Sequence, residues 1–250
     1  MTLIGVIDLL KKSWSLYVEN FKTLFLIAIW TILPAIAMGI VAALASYFPE
    51  GAWLLYSLLY VVAFVGAIII GLWVHVSLTE SIASYYKGQP VNVDKIYSGA
   101  WGKILPLLWV SIIVFVIVFA GTLLFVIPGI LFGVWFAFAT IINILEGKKG
   151  WSALKESKNL VSGKWWSVFW RFLAIYLLLM IIIWVITIPL FLLLSFGFAA
   201  LAQAAGPDWI ALIQSVITNL INVLALPLFT AIPIILYIEL KKFKGSKQSA

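Results

Sequence analysis

Three glutamates stand at matching places in the sequence, because each follows a long apolar run and precedes a break rich in lysine and glycine. They are Glu80, Glu146 and Glu239, and the only arginine, Arg171, lies about two turns into another apolar run. A charge surrounded by apolar sequence is costly unless it meets an opposite charge or serves a transport path. We therefore expect at least one glutamate to pair with Arg171 or a nearby lysine and to tie helices together. A role in coupling protons or a substrate is the alternative.

A second set of polar residues lies in the last apolar run of the chain. Its members recur at spacings of three and four, which puts most of them on one helical face: Gln214, Ser215, Thr218, Asn219 and Asn222. Such a face must point toward other helices or toward water. The pattern predicts a seam of hydrogen bonds between helices, and a substrate path along Asn219 and Asn222 is the alternative.

The side chains that most enzymes and metal proteins need are scarce in this sequence. His75 is the only histidine and there is no cysteine, so we expect no metal site. The sequence also lacks a phosphate-binding glycine loop, a paired-carboxylate spacing and a nucleophile elbow. We expect no cofactor and no catalytic residue, and we assign His75 a structural or hydrogen-bonding role between helices.

The composition requires lipid as the solvent for most of the chain. Hydrophobic residues make up 65% of the sequence and charged residues only 10%, against about 25% charged residues in a soluble domain. The formal net charge of +7 does not indicate nucleic acid, because the lysines lie in short segments between apolar runs. Anionic lipid headgroups are the expected partner. The first long apolar run begins only near Thr23, so we expect no cleavable signal peptide.

The hydropathy pattern predicts an all-α polytopic membrane protein with six transmembrane helices, arranged as three helical hairpins in one domain. An apolar run of about 20 residues crosses the hydrocarbon core, and the predicted spans are residues 23–47, 52–79, 103–127, 130–145, 165–188 and 209–240. Pro128 and Gly129 are predicted to form the tight turn of the middle hairpin. Pro189 is predicted to break the fifth helix, so that residues 189–205 protrude or lie flat on the membrane.

Two short segments are predicted to be amphipathic helices, residues 1–22 and 151–164. In the first, apolar residues from Leu3 to Phe21 recur at spacings of three and four, with Trp14 and Tyr17 among them. A helix of this kind lies in the plane of the membrane with its apolar face toward the acyl chains. Packing of that face on the protein itself is the open alternative.

The distribution of lysine predicts the topology. All lysines fall near the N-terminus, in the second-to-third loop, in the fourth-to-fifth loop or in the C-terminal tail. Positively charged loops stay on the cytoplasmic side. Six spans with both termini in the cytoplasm satisfy this rule completely, which predicts a multi-pass protein of the cytoplasmic membrane.

The sequence also contains an internal repeat. Residues 9–25 align without gaps with residues 153–169, and a weaker middle copy begins at residue 93. Each copy is followed by two spans, and the second span of each pair ends near one of the three glutamates. We therefore predict three parallel units, residues 1–90, 91–150 and 151–245.

One stretch resembles a known bacterial and archaeal family. Its shared residues are Ile127, Pro128, Gly129, Glu146, Ala153, Leu154, Ser157, Leu160, Gly163 and Trp166. In this pattern the chain resembles the membrane domain attached to some glycerophosphoryl diester phosphodiesterases, with related multi-span families. The resemblance covers roughly residues 90–240 and implies a multi-span fold. It implies no activity, because the membrane domain of that group has no assigned catalytic residues.

These observations lead to two functional hypotheses. The first is a non-enzymatic membrane protein that binds anionic lipid or organises a complex with a membrane protein partner at the inner face. The second is a small transporter or lipid translocator whose polar path follows the sixth span.

Overall fold

A computed structural model of the 250-residue chain describes residues 3–44, 52–197 and 207–248. Within these ranges every regular element is helical and no strand occurs. The ten α-helices of these ranges are α1 Val6–Glu19, α2 Phe21–Ala28, α3 Ile32–Leu44, α4 Trp53–Tyr86, α5 Val93–Leu124, α6 Val126–Phe136, α7 Ala139–Glu146, α8 Trp151–Val161, α9 Trp165–Gly197 and α10 Pro207–Gln248.

Six segments of the described chain are long and apolar enough to cross a membrane. They are Phe21–Val41, Trp53–Tyr86, Val93–Leu124, Val126–Glu146, Trp165–Leu193 and Val216–Ser246. The first combines α2 and α3 and the fourth combines α6 and α7, while the other four are each one helix. The prediction of an all-α polytopic membrane protein with six spans is confirmed.

The turn of the middle hairpin lies at Phe125 and not at the proline and glycine. Phe125 is extended between α5 and α6, and Pro128 and Gly129 belong to the first turn of α6. Proline is tolerated there, because the first N–H groups of a helix have no partner within the helix. A Cβ on Gly129 would collide with Thr122 of α5. Gly129 therefore allows the two helices to approach closely, and the predicted turn is wrong in position.

The predicted break at Pro189 is also wrong. Helix α9 runs through Pro189 to Gly197, which at 1.5 Å per residue makes it about 50 Å long. It therefore extends past a hydrocarbon core of about 30 Å. Residues 198–205, the rest of the predicted protrusion, lie outside the described residues.

The buried core of the described residues lies at one end of the even-numbered spans. In α4 the buried residues lie between Trp73 and Ala83, and α7 is buried along most of its length. In α10 they run from Thr230 to Leu240 with few gaps. The opposite halves of the spans expose apolar side chains such as Leu54 and Leu123, as a surface in contact with lipid does.

The two short segments that were predicted to be amphipathic form helices that pack along spans. Helix α1 packs against α10, and helix α8 packs against α6 and α7. The Tyr17 hydroxyl of α1 donates to the Leu224 carbonyl at 3.0 Å, and the Trp165 indole at the start of α9 donates to the Leu131 carbonyl at 3.3 Å. Each carbonyl lies fifteen residues before a glutamate, Glu239 or Glu146. The two acceptors thus occupy equivalent places in the predicted repeat, whereas the donors do not, and the repeat stays a prediction.

Helix α1 packs on the protein with a face that overlaps the one that the periodicity indicates. Its buried residues are Leu9, Ser13, Leu16 and Tyr17, and Leu3, Val6 and Leu10 of the predicted face pack against the core as partly buried residues. Trp14 of the predicted face is 57% exposed. The open alternative, packing on the protein, therefore accounts for most of the predicted apolar face.

Candidate functional site at the glutamate ring

Glu80, Glu146 and Glu239, here called the glutamate ring, lie at the buried end of the even-numbered spans. Only Glu146 is the last residue of its helix, because Gly147 adopts a left-handed conformation with φ 69° and stops α7. Helices α4 and α10 continue past Glu80 and Glu239 to Tyr86 and Gln248. A break rich in lysine and glycine therefore ends the helix directly after the glutamate only at Glu146, and not at Glu80 or Glu239.

The first member of the ring connects the second, third and fourth spans. Lys103 of α5 forms an ion pair and a hydrogen bond with Glu80 of α4. The same ammonium group donates to the Ile144 carbonyl of α7 at 3.1 Å. One lysine thus joins three helices, and its second bond satisfies a carbonyl near the C-terminus of α7, where carbonyls have no partner within the helix.

The second member connects the fourth span to the sixth. Glu146 accepts a hydrogen bond from the Tyr237 hydroxyl of α10 and forms ion pairs with Lys241 at 2.6 Å and Lys148 at 3.2 Å. Lys148 also pairs with Glu156 of α8 at 3.0 Å. The hydrogen bond to Glu156 raises the pKa of Lys148 above its usual value, with a smaller contribution from Glu146 and against the opposing effect of burial.

The third member connects the sixth span back to the second and to the N-terminal helix. The Tyr86 hydroxyl of α4 donates to Glu239 at 2.5 Å, and Lys12 of α1 donates to that hydroxyl at 3.1 Å. Lys12 and Lys242 also pair with Glu239 at 3.5 and 3.6 Å. The hydrogen bond with Tyr86 raises the pKa of Lys12 despite the opposing effect of burial. The three even-numbered spans are therefore joined in a closed cycle.

Arg171 takes no part in this cycle. Its guanidinium group donates to the carbonyls of Ile4 at 2.7 Å, Leu3 at 3.3 Å and Ser167 at 2.7 Å. Of the two partners that the sequence allowed for the glutamates, Arg171 pairs with none of them, whereas each glutamate pairs with a lysine. The reason is the packing of α9 beside α1, which brings Arg171 to the chain segment ahead of α1.

Two cavities with lysine-rich walls adjoin the ring. The larger has a volume of about 630 Å³, and its charged lining residues are Glu80, Lys87, Lys95 and Lys103. The smaller, of about 330 Å³, lies against Glu146, Lys241 and Lys242. Lys87 and Leu145 line both cavities, so the two are neighbours. Together they bring five lysines and two glutamates to one end of the molecule.

The asparagines of the sixth span lie away from this end. Asn219 is half-buried and Asn222 is exposed on α10. The cavity between α9 and α10 has a volume of about 250 Å³, and its polar lining residues are Thr187 and Thr218. Asn219 and Asn222 are not among its lining residues. The side chains of Gln214 and Ser215 lie outside the described part of the structure.

Sequence reasoning missed the tyrosines of the site. Tyr86 and Tyr237 each donate to a glutamate of another span. Their positions near the ends of even-numbered spans could have indicated that they lie close to the glutamates.

Among the described residues no group of three or more histidine, cysteine or acidic side chains is placed to hold a metal. Searches of protein-family profiles, curated proteins and solved structures find no match to this chain.

Proposed function

We propose that the chain is a non-enzymatic membrane protein that binds the headgroups of anionic lipids at the end marked by the glutamate ring. The observation that supports this proposal is the larger lysine-lined cavity. Lys103 is neutralised by Glu80, whereas Lys87 and Lys95 form no ion pair with any described residue. Two positive charges are therefore available to a phosphate group that enters from the membrane surface.

Exposed tryptophans support a position of this cavity at the membrane interface. Trp101 and Trp151 are exposed, and they lie close in sequence to Lys103 and Lys148 of the ring contacts. Tryptophan prefers the headgroup level, where its ring meets both apolar and polar surroundings. Trp14 of α1 is also exposed, and it lies two residues after Lys12 in the sequence. These side chains would hold the lysine-lined cavity at the depth of the lipid phosphates.

The proposal also covers the membrane orientation of the protein and its relationship to a known family. The lysines gather at the ring, so we assign this end to the cytoplasmic face of the cell membrane, with both termini on that side. A tag at either terminus should then be inaccessible from outside intact cells, and labelling of either tag from outside would contradict this orientation. Kinship with the phosphodiesterase-linked membrane domains, and a membrane protein partner at this face, belong to the same proposal.

A charge-matched pair of variants tests the lipid-binding site. Lys87→Gln with Lys95→Gln removes the two unpaired charges of the cavity. Lys22→Gln with Lys155→Gln removes the same charge from two exposed positions elsewhere. The assay is native mass spectrometry of protein taken from nanodiscs with equal amounts of phosphatidylglycerol and phosphatidylcholine.

The wild-type protein and the control should retain phosphatidylglycerol preferentially. In the cavity variant the ratio of retained phosphatidylglycerol to phosphatidylcholine should be roughly tenfold lower at low salt. This magnitude discounts the value of about 1 kcal/mol for each lysine near an anionic surface, because both side chains are exposed. An absence of preference in the wild type, or equal losses in both variants, would refute the site.

The cavity between α9 and α10 favours a second candidate, a transporter or lipid translocator. Thr187 and Thr218 give this mostly apolar cavity two hydroxyl groups inside the predicted membrane region. Vesicles containing the protein should then exchange a fluorescent lipid between leaflets, and Thr218→Leu should slow the exchange. Exchange no faster than in protein-free vesicles would exclude this candidate under those conditions.

A further inference from the structure

A cavity of about 330 Å³ lies among the second, fourth, fifth and sixth spans, deeper than the glutamate ring. Its lining includes His75, Ile141 and Ile234, which lie five residues before Glu80, Glu146 and Glu239 respectively. Five helical residues correspond to about 7.5 Å along the axis. The same position of each predicted unit therefore faces this cavity, which lies within the membrane region below the lysines.

In the described part of the chain, three uncharged polar side chains line the cavity: His75 of α4, Thr140 of α7 and Tyr176 of α9. Apart from Ile141 and Ile234, the wall includes Gly133, Ala137 and Phe172, which are small or apolar. None of the three polar side chains hydrogen-bonds through its side chain to a described residue, whereas Thr79 and Thr230 on neighbouring helical turns bond to carbonyls of their own helices. Polar groups in an apolar region are costly when they have no hydrogen-bond partner.

The shape and the chemistry of the wall define what would bind. Among the described residues no lysine, arginine or carboxylate lines the cavity, so a charged ligand would lose its solvation without compensation. The Tyr176 ring stacks between Phe172 and Phe229, with centroid distances of 5.9 Å to each, which fixes its orientation beside the cavity. The volume lies at the lower end of the range for small-molecule sites.

We propose that this central cavity binds the uncharged polar end of a membrane-soluble amphiphile, a hydroxyl or carbonyl group attached to a hydrocarbon body. His75, Thr140 and Tyr176 supply both donors and acceptors for that group. The hydrocarbon body lies against the apolar wall and extends between the spans. This site differs from the lysine-lined cavities, whose ligand carries phosphate, and it does not depend on the proposed function.

The position of His75 provides a conservative variant. The other two units carry isoleucine at the equivalent position, so His75→Ile removes the polar group and introduces a residue already accepted in the same wall. Gly133→Leu fills the cavity, because a Cβ at Gly133 meets nothing within 4 Å. Gly71→Leu is the matched control, since Gly71 is exposed on α4 and its Cβ also meets nothing within 4 Å.

The single histidine makes the measurement specific. In protein labelled with ¹³C-histidine, one imidazole signal reports on the cavity while decan-1-ol, undecane or decyl phosphate is added to nanodiscs. A diazirine-bearing decanol then maps the site by photolabelling, which also works in variants without histidine. Thermal unfolding of each variant confirms that it is folded.

Decan-1-ol should shift the imidazole signal to saturation, and undecane and decyl phosphate should not. Photolabelling of α6, α7 and α9 should fall roughly two- to tenfold in His75→Ile, the range expected for one hydrogen bond. It should disappear in Gly133→Leu and persist in Gly71→Leu. The proposal is overturned if undecane shifts the signal as much as decan-1-ol, if no probe shifts it, or if Gly133→Leu labels like Gly71→Leu.

Discussion

Replacing Glu146 by glutamine tests whether the glutamate ring stabilises the helix bundle. The Glu146 side chain is only 17% exposed, and its partner Tyr237 is 4% exposed. Glutamine keeps an oxygen for the Tyr237 hydroxyl but loses the charge, and a hydrogen bond to a charged group is worth about 1 kcal/mol more than a neutral one. The ion pairs with Lys148 and Lys241 add a few tenths of a kcal/mol each, because both lysines are more than one-third exposed and screened by solvent.

We therefore expect Glu146→Gln to lower the free energy of unfolding by about 1.5–2 kcal/mol, from these contributions. Glu146→Ala should cost about 3 kcal/mol or more, because it leaves the buried Tyr237 hydroxyl without its acceptor. The assay is reversible unfolding in mixed micelles with increasing dodecyl sulfate. Glu19→Gln, at an exposed position of α1 with Ser15 as its partner, is the control and should change stability by less than about 0.5 kcal/mol.

A double-mutant cycle separates the contact from a general effect of the charge. Tyr237→Phe combined with Glu146→Gln should be less destabilising than the sum of the single variants, by about 0.5–1 kcal/mol. Additive effects would show that the hydroxyl and the carboxylate do not interact. A change below about 0.5 kcal/mol in Glu146→Gln would refute the stabilising role of this member of the ring.

Two further comparisons use residues at related positions. Ser157, buried on α8, donates to the Trp135 carbonyl at 2.7 Å and accepts from the Phe138 N–H at 3.2 Å, so Ser157→Ala should cost about 1–3 kcal/mol by leaving both groups unpaired. Ser13→Ala should cost less than about 0.5 kcal/mol in the same assay, because that hydroxyl donates only to a carbonyl of its own helix; equal costs would contradict the bridging role. Gly129→Ala should destabilise by about 1–3 kcal/mol through its collision with Thr122, and Gly133→Ala should be neutral or stabilising. Similar melting temperatures for the two alanine variants would argue against close packing of α5 on α6.

The six spans could be predicted from the sequence because the cost of apolar surface in water is additive along the chain. The position of Phe125 could not, because proline and glycine suit either a turn or the first turn of a helix. The buried face of α1 was predicted only in part for a related reason. In a membrane both Leu16, which contacts protein, and Trp14, which faces outward, are apolar, so periodicity does not distinguish the two sides.

The glutamates of the candidate site could be found from their position in the repeat, and pairing with lysine followed from charge alone. Their tyrosine partners could not be found in this way. Tyr237 lies 91 residues from Glu146, and Tyr86 lies 153 residues from Glu239. Such pairs depend on which spans become neighbours, and hydropathy carries no information on that order. The cavity at His75 could have been inferred from sequence spacing. His75 lies five residues before Glu80, and Ile141 and Ile234 lie five residues before Glu146 and Glu239.

The contact between α1 and α10 joins the beginning of the chain to its last span. The hydrogen bond from Tyr17 to Leu224 closes a separation of 207 residues. During synthesis at the ribosome, α1 emerges long before α10, which is its most extensive packing partner, whereas α4 and α9, which it contacts less extensively, are inserted earlier. Assembly is therefore expected to finish at this contact, so that the stability of the earliest helix depends on the arrival of the last one.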